Sequence, residues 1–321
     1  MRFWWWPRKK AKNPGLAKAI VAMTEEDAPN VRVEQEARGV AILEDLQVET
    51  SELGPLAKLP PFRPVAIALM RIFDREDVTI EEIAGLVQSD PTSTSELLAL
   101  VNSPLFAFPT RIDSVAHAIT LLGIEKTKSL AVALAMRSLM QGAPRTPVVR
   151  RFWVHGIATA TIAQHLARPL HIDPQVAYVS SLLHDLGRLG LLAGYPERYS
   201  KLALTSNEST LEILEAEKAG FGMTHCRAGE LLAKAWSLPE TLRQVAAHHH
   251  DTEPEHGLVS LVQLCCRLAD DLEFQAIHRR DIQKPEETIA ACVPKHLQEQ
   301  MTSALEIATT AVMSAIQTLD F

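Results

Sequence analysis

SLLHDLGRLG, residues 181–190, sets an adjacent histidine and aspartate, His184 and Asp185, inside a stripe of leucines. A polar pair among apolar side chains must be hydrogen-bonded, ion-paired or bound to something. An imidazole nitrogen and a carboxylate oxygen can both ligate one divalent cation, provided other parts of the chain bring further ligands. Which fold surrounds the pair, and which residues complete it, must be read from the remaining sequence.

The surroundings read as helices. Of the 321 residues 47% are hydrophobic but only 5% aromatic, so Leu, Ala, Val and Ile fill the core, and they recur at helical spacing rather than alternating. An all-α fold is expected, long enough for about two domains. The net charge of -7 argues against a protein that coats itself with nucleic acid, since no clustered basic footprint marks the body. The four cysteines, Cys226, Cys265, Cys266 and Cys292, lack Cys-x-x-Cys spacing and read as buried reduced thiols of a cytoplasmic protein.

Punctuation divides the chain. MRFWWWPRKKAK, residues 1–12, mixes Arg and Lys with Trp4, Trp5 and Trp6, which reads either as an unordered basic tail or as a weak membrane or partner anchor. No long apolar segment follows it, so a spanning helix is not expected. An acidic linker then runs to residue 54. Prolines at 55, 60, 61 and 64 open a first helical subdomain over 55–145, with helix starts at Thr79 and at the Thr/Ser run after the Asp90-Pro91 stop, and a helix end at Gly123. A second, histidine-rich helical subdomain is expected over 146–275, followed by a C-terminal helical extension over 276–321 whose amphipathic helix packs on the body or on a second copy in a homodimer.

The polar residues buried in the second subdomain's apolar stripes are His155, His184, Asp185, His225, His249, His250 and Asp270. Singly, each reads as a hydrogen-bonded core residue. Together they form a nitrogen and oxygen donor set fit for one or two divalent ions, about 3.5–4 Å apart where two are present. Asp270 is preferred to Asp271 because it follows the Leu268-Ala269 stripe, leaving Asp271 solvated. Glu217 reads as a cap or ion-pair partner, and His117, His165, His171, His256, His278 and His296 as surface or loop residues.

From about 55 to 275 the chain resembles the HDOD family of bacterial signalling domains. The resemblance lies in LPPFRPVAIALMRIF, IAGLVQSDPTSTSELLALVNSPLF, IDSVAHAITLLG, FWVHGIATA, SSLLHDLGRLGL and EAEKAGFGMTHCRAGELLAKAWSLPETLRQVAAHHHD. His155, His184-Asp185 and Asp270 are similar to the metal signature of the wider HD superfamily, and the fuller set resembles that of the HD-GYP phosphodiesterases. That likeness favours His249 and His250 over His248 as the inward pair. The HDOD resemblance implies a helical fold of two subdomains and a regulatory role through signalling proteins, without catalysis. The metal signature further implies Fe, Mn or a similar metal as cofactor. Two departures weigh against cyclic di-GMP hydrolysis: Arg188 stands where HD-GYP enzymes have lysine, and Asp251 to Gly257 replaces their Asp-Gly-x-Gly-Tyr-Pro segment. The alternative is a metal-dependent phosphohydrolase, in which His155, His184, Asp185 and Asp270 hold one ion. His225, His249 and His250 then hold a second across a bridging Asp185, and Arg188 meets phosphate. A third reading is a domain that senses a nucleotide without hydrolysing it.

Overall fold

A computed structural model describes residues 53–72, 75, 77–103, 106–141, 146–251 and 257–319. The Trp-rich tail, the acidic linker up to residue 52, the Gly142 and Pro144 break and the rewritten 252–256 segment lie outside the described residues. Those described are all-α, as the periodicity requires. A 3-10 turn over Gly54–Lys58 leads into α1 (Pro64–Arg71), α2 (Ile80–Gln88), α3 (Pro91–Val101), α4 (Val115–Leu122) and α5 (Ile124–Gln141). The second half follows with α6 (Pro147–Leu166), α7 (Pro174–Leu183), α8 (Leu186–Gly194), α9 (Pro196–Thr205), α10 (Thr210–Phe221), α11 (His225–Ala235), α12 (Glu240–His248), α13 (Leu258–Asp271), α14 (Pro285–Cys292) and α15 (Lys295–Leu319). No described helix is long and apolar enough to cross a membrane.

Local chemistry accounts for the helix ends. Thr79 caps α2 by accepting from the Glu82 amide at 3.2 Å, and Ser114 caps α4 through the His117 amide. Gly123, at φ +86°, leaves α4 in a conformation that favours glycine. The helix before Asp90-Pro91 ends at Gln88, as expected, and Asp90 also begins the next: its carboxylate accepts from the Ser93 amide at 3.0 Å and hydroxyl at 2.5 Å, with Pro91 at the first helical position. The Thr and Ser residues after it lie inside α3 rather than at its cap. Burial works against the Asp90 charge, but Ser93 and then Arg63, whose Nη1 lies at 2.8 Å, hold its carboxyl below the usual range. Asp90→Ala is expected to cost about 1–2 kcal/mol, the loss of a cap, read as a lower urea midpoint.

Helix α6 is the spine. Its buried face runs from Val148 to Leu166 and joins two apolar clusters. One cluster takes in Val149, Trp153 and Ile157 together with residues of α1 to α5 and of α7 to α12, and the other packs Ala158, Ile162 and Leu166 against Leu261, Cys265 and Leu268 of α13 and Met301, Leu305 and Val312 of α15. The C-terminal helices are thus built into the core, and the Trp153 indole N–H donates to the Leu319 carbonyl at 3.1 Å. Helix α14 was not expected from the sequence. Its Thr288 hydroxyl donates to Asp271, which also accepts from the Gln283 amide at 3.1 Å, so Asp271 is a buried anchor rather than a solvated neighbour. Cys226, Cys265 and Cys266 are buried free thiols, whereas Cys292 is exposed at the end of α14.

Candidate metal centre

The chain does not run straight through the His-Asp pair. Helix α7 ends at Leu183 and α8 begins at Leu186, so His184 and Asp185 occupy the joint between two helices. In one continuous helix neighbouring side chains diverge by about 100°. At the joint the His184 Nε2 and Asp185 Oδ2 come within 3.7 Å. His249 and His250 use the same device: they follow the last residue of α12, both turn inward, and exposed His248 turns away to pair with Asp251 at 2.8 Å.

Each inward imidazole is held from behind. His155 Nδ1 donates to the Phe274 carbonyl at 2.7 Å, and His184 Nδ1 to the Ser181 carbonyl at 2.6 Å. His249 Nδ1 faces the Val245 and Ala246 carbonyls at 3.1 Å, and His225 Nδ1 meets the Glu217 carboxylate at 2.7 Å. A carbonyl only accepts, so the ring proton sits on Nδ1 and each Nε2 presents a lone pair. These lone pairs face each other: the Nε2 atoms of His155 and His184 are 3.3 Å apart, as are those of His225 and His249. Burial is the leading cause that lowers His184 and His225 below the ordinary imidazole range, so neither carries a second proton to bond its neighbour.

Asp185 stands between the two pairs. Its Oδ1 lies 3.3 Å from His225 Nε2 and 3.4 Å from His249 Nε2, and its Oδ2 lies 3.7 Å from the Nε2 of both His155 and His184. Burial disfavours its charge, but Arg188 above all keeps the carboxyl well below its usual range. Asp185 Oδ1 and His250 Nε2 are buried without a hydrogen-bond partner. Asp185, His225, His249 and His250 form one group of converging ligand atoms, and His155, His184 and Cys266 form another. Two orphaned polar atoms and two pairs of opposed lone pairs fit one or two cations, with the backing carbonyls and Glu217 orienting the rings as second-layer partners of a metal site do.

The remaining predicted residues lie at the margin. Asp270 Oδ1 approaches His155 from its Nδ1 side, at 3.5 Å, and its other oxygen pairs with Arg279. Arg188 is buried, with Nε on Asp185 Oδ2 at 2.7 Å and Nη1 on Glu217 Oε1 at 3.1 Å and the Tyr199 hydroxyl at 3.4 Å. Glu217 is fully buried and does serve as an ion-pair partner, for His225 and Arg188 together. Cys266 was passed over in the sequence. It precedes Asp270 by four residues, the one-turn spacing that puts both on one face of α13, and that spacing was its only signal.

The buried histidines set a pH response. Burial holds His184 and His250 well below the imidazole value of 6.5 and also lowers His225. The unfolded chain binds these protons more readily, so the stability they contribute is complete above pH 6.5 and is lost as the pH falls below it. Metal-free protein should lose up to about 4 kcal/mol per pH unit below about pH 6, measured by urea unfolding at stepped pH.

Comparison with known proteins agrees with this architecture. Residues 59–252 match the HDOD domain. A curated "Uncharacterized protein" of Treponema pallidum (strain Nichols) is 24% identical over 216 residues, 64% of this chain and 41% of that one, so the chain spans about two fifths of that relative's length. Among solved structures, an HDOD domain protein with unknown function from Geobacter sulfurreducens superposes with a TM-score of 0.65 at 20% identity, over 89% of this chain and 98% of that one. A "Putative signal transduction protein" of Marinobacter aquaeolei VT8 gives 0.64 at 18% identity over 94% and 68%, and a "Putative metal-dependent phosphohydrolase" of Shewanella amazonensis SB2B gives 0.55 at 15% over 90% and 99%. The solved structures speak for the fold alone. With the match covering more than half of its length, the chain belongs to the HDOD domain family.

Proposed function

We propose that this protein is a cytoplasmic signal-transduction module that works by contact with signalling proteins, with a buried metal centre bracing its helices rather than turning over a substrate. The observation that carries this reading is enclosure. The space beside the cluster, lined by His155, Arg188, His250, Cys266, Asp270 and Arg279, is ≈ 10 Å³, room for about one water. Small-molecule sites run to about 300–1,000 Å³, so a space this small argues against a phosphoester at the ligands. Arg188, the side chain that would meet phosphate, is already held by Asp185, Glu217 and Tyr199. A separate cavity of ≈ 320 Å³, lined by Leu139, Met140, Leu189 and Leu192 among others, is mostly apolar and does not suit a nucleotide's phosphates.

His155, His184, Asp185, His225, His249 and His250 would hold the metal, which supplies cross-linking charge between α6, α11, the α7–α8 joint and the end of α12. The fold is shared by a protein named for signal transduction and by one named a metal-dependent phosphohydrolase, so the regulatory reading rests on the enclosure of the site. Elemental analysis of the purified chain, with a phosphodiesterase and phosphatase screen in Mn²⁺ and Fe²⁺, tests it. Bound metal without turnover is the expected result, with a signalling protein recovered on the immobilised chain. Turnover that Asp185→Asn abolishes would establish the phosphohydrolase instead.

A further inference from the structure

Cys266 converges with His155 and His184, where the sequence reading expects a carboxylate oxygen of Asp270. Its Sγ lies 3.6 Å from His155 Nε2, and His155 Nε2 lies 3.3 Å from His184 Nε2. With metal–nitrogen bonds of about 2.05 Å and metal–sulfur bonds of about 2.3 Å, a tetrahedral ion has nitrogen–nitrogen edges of about 3.3 Å and nitrogen–sulfur edges of about 3.6 Å. The two edges that meet at His155 Nε2 thus already have the lengths of one coordination shell, all three donor atoms lie within 4.8 Å of one another, and Asp185 Oδ2 lies 3.7 Å from both imidazoles. The oxygen that could replace the sulfur is turned elsewhere: Asp270 addresses the back of the His155 ring and Arg279.

Resting on the metal reading above, we propose that Cys266 is a metal ligand, and that with His155, His184 and Asp185 it forms a mixed sulfur, nitrogen and oxygen site. Binding replaces the thiol proton: the cation takes the sulfur lone pair, one proton leaves to solvent, and no oxidant or reductant is needed. The thiolate so formed and a buried carboxylate then share a divalent charge. A thiolate shifts preference towards zinc, iron or cobalt and away from manganese and magnesium, which favour oxygen. Cys265, next in sequence, faces the apolar cluster between α6, α13 and α15 and takes no part.

Cobalt(II) tests this on the full chain. Stripped protein reloaded with Co²⁺ should show visible ligand-field bands, which report binding, and a near-ultraviolet sulfur-to-cobalt charge-transfer band, which reports a thiolate. Cys266→Ser should lose the second and keep the first; Cys265→Ala should keep both. Persistence of the charge-transfer band in Cys266→Ser, its loss in Cys226→Ser instead, or cobalt bound without such a band overturns the ligand while leaving the metal centre standing. Failure to bind cobalt at all overturns both. Because a core substitution can fail to fold, X-ray absorption of the zinc-loaded wild type tests for a sulfur ligand without mutation: a sulfur scatterer at about 2.3 Å is expected, and a shell of nitrogen and oxygen only refutes the assignment.

Discussion

Asp185→Asn should empty the centre of metal and weaken the fold in the same step. The carboxylate offers one oxygen to the His225–His249 pair and the other to the His155–His184 pair, so its neutral amide removes the charge shared by both halves. Metal affinity should drop by well over the roughly 10- to 100-fold typical of losing an outer-layer partner, read as metal per chain after dialysis. Stability should fall even without metal. Arg188 is buried and would keep only Glu217 as a charged partner, and breaking one side of a buried pair costs about 3–5 kcal/mol. The surviving Glu217 contact puts the expected loss near the lower limit, about 3 kcal/mol. A metal-free variant as stable as metal-free wild type would contradict this account of Arg188.

Gly187→Ala should be more damaging still, although it adds one methyl group. A Cβ on Gly187 would lie 1.8 Å from the His225 carbonyl oxygen and 2.5 Å from the Gly229 amide nitrogen, so it meets backbone on α11 rather than a side chain that could swing aside. Helices α8 and α11 would have to separate, carrying His225 away from Asp185. Overpacking a core costs about 1–3 kcal/mol where side chains can yield. Here they cannot, and a loss beyond about 4 kcal/mol is expected, the exceptional range for one substitution. The thermal midpoint and metal content should fall together. Gly156→Ala is the control: its Cβ would meet the Leu182 carbonyl at an ordinary 3.4 Å, and little change is expected.

How legible this arrangement was depends on which physical rule each residue obeys. Thr79 and Gly123 mark helix ends by local hydrogen bonding and backbone preference, which sequence carries directly. His155, His184, Asp185, His225 and His249 stand out because polar groups in apolar stripes need partners, and the fold does gather them. Other features answer to tertiary geometry. The joint at His184–Asp185 lies in a run with unbroken helical character, and only the convergence of two imidazole pairs on one carboxylate requires the bend. Asp90 reads as a stop because of the proline after it, and only its bond to Ser93 shows that it also caps the next helix. Asp271 is drawn inward by Thr288, on a helix with too short an apolar pattern to be noticed. Cys266 looks like one more small apolar residue until His155 is placed beside it, 111 positions away in sequence.

That separation governs the order in which the protein can assemble. The carbonyl that orients His155 belongs to Phe274, 119 positions further on, and the spine's Trp153 is bonded to Leu319, 166 positions away. Helix α6 is synthesised early but acquires its partners late. Closing such long loops costs entropy before any contact rewards it, so contacts of this range slow folding. Until α13 and the turn after it have docked, His155 has neither its backing carbonyl nor the Cys266 sulfur beside it. Under the metal reading proposed above, the His155, His184 and Cys266 group is completed only when α13 docks, late in folding, whereas Asp185, His225, His249 and His250 all lie within residues 185–250 and do not wait for it.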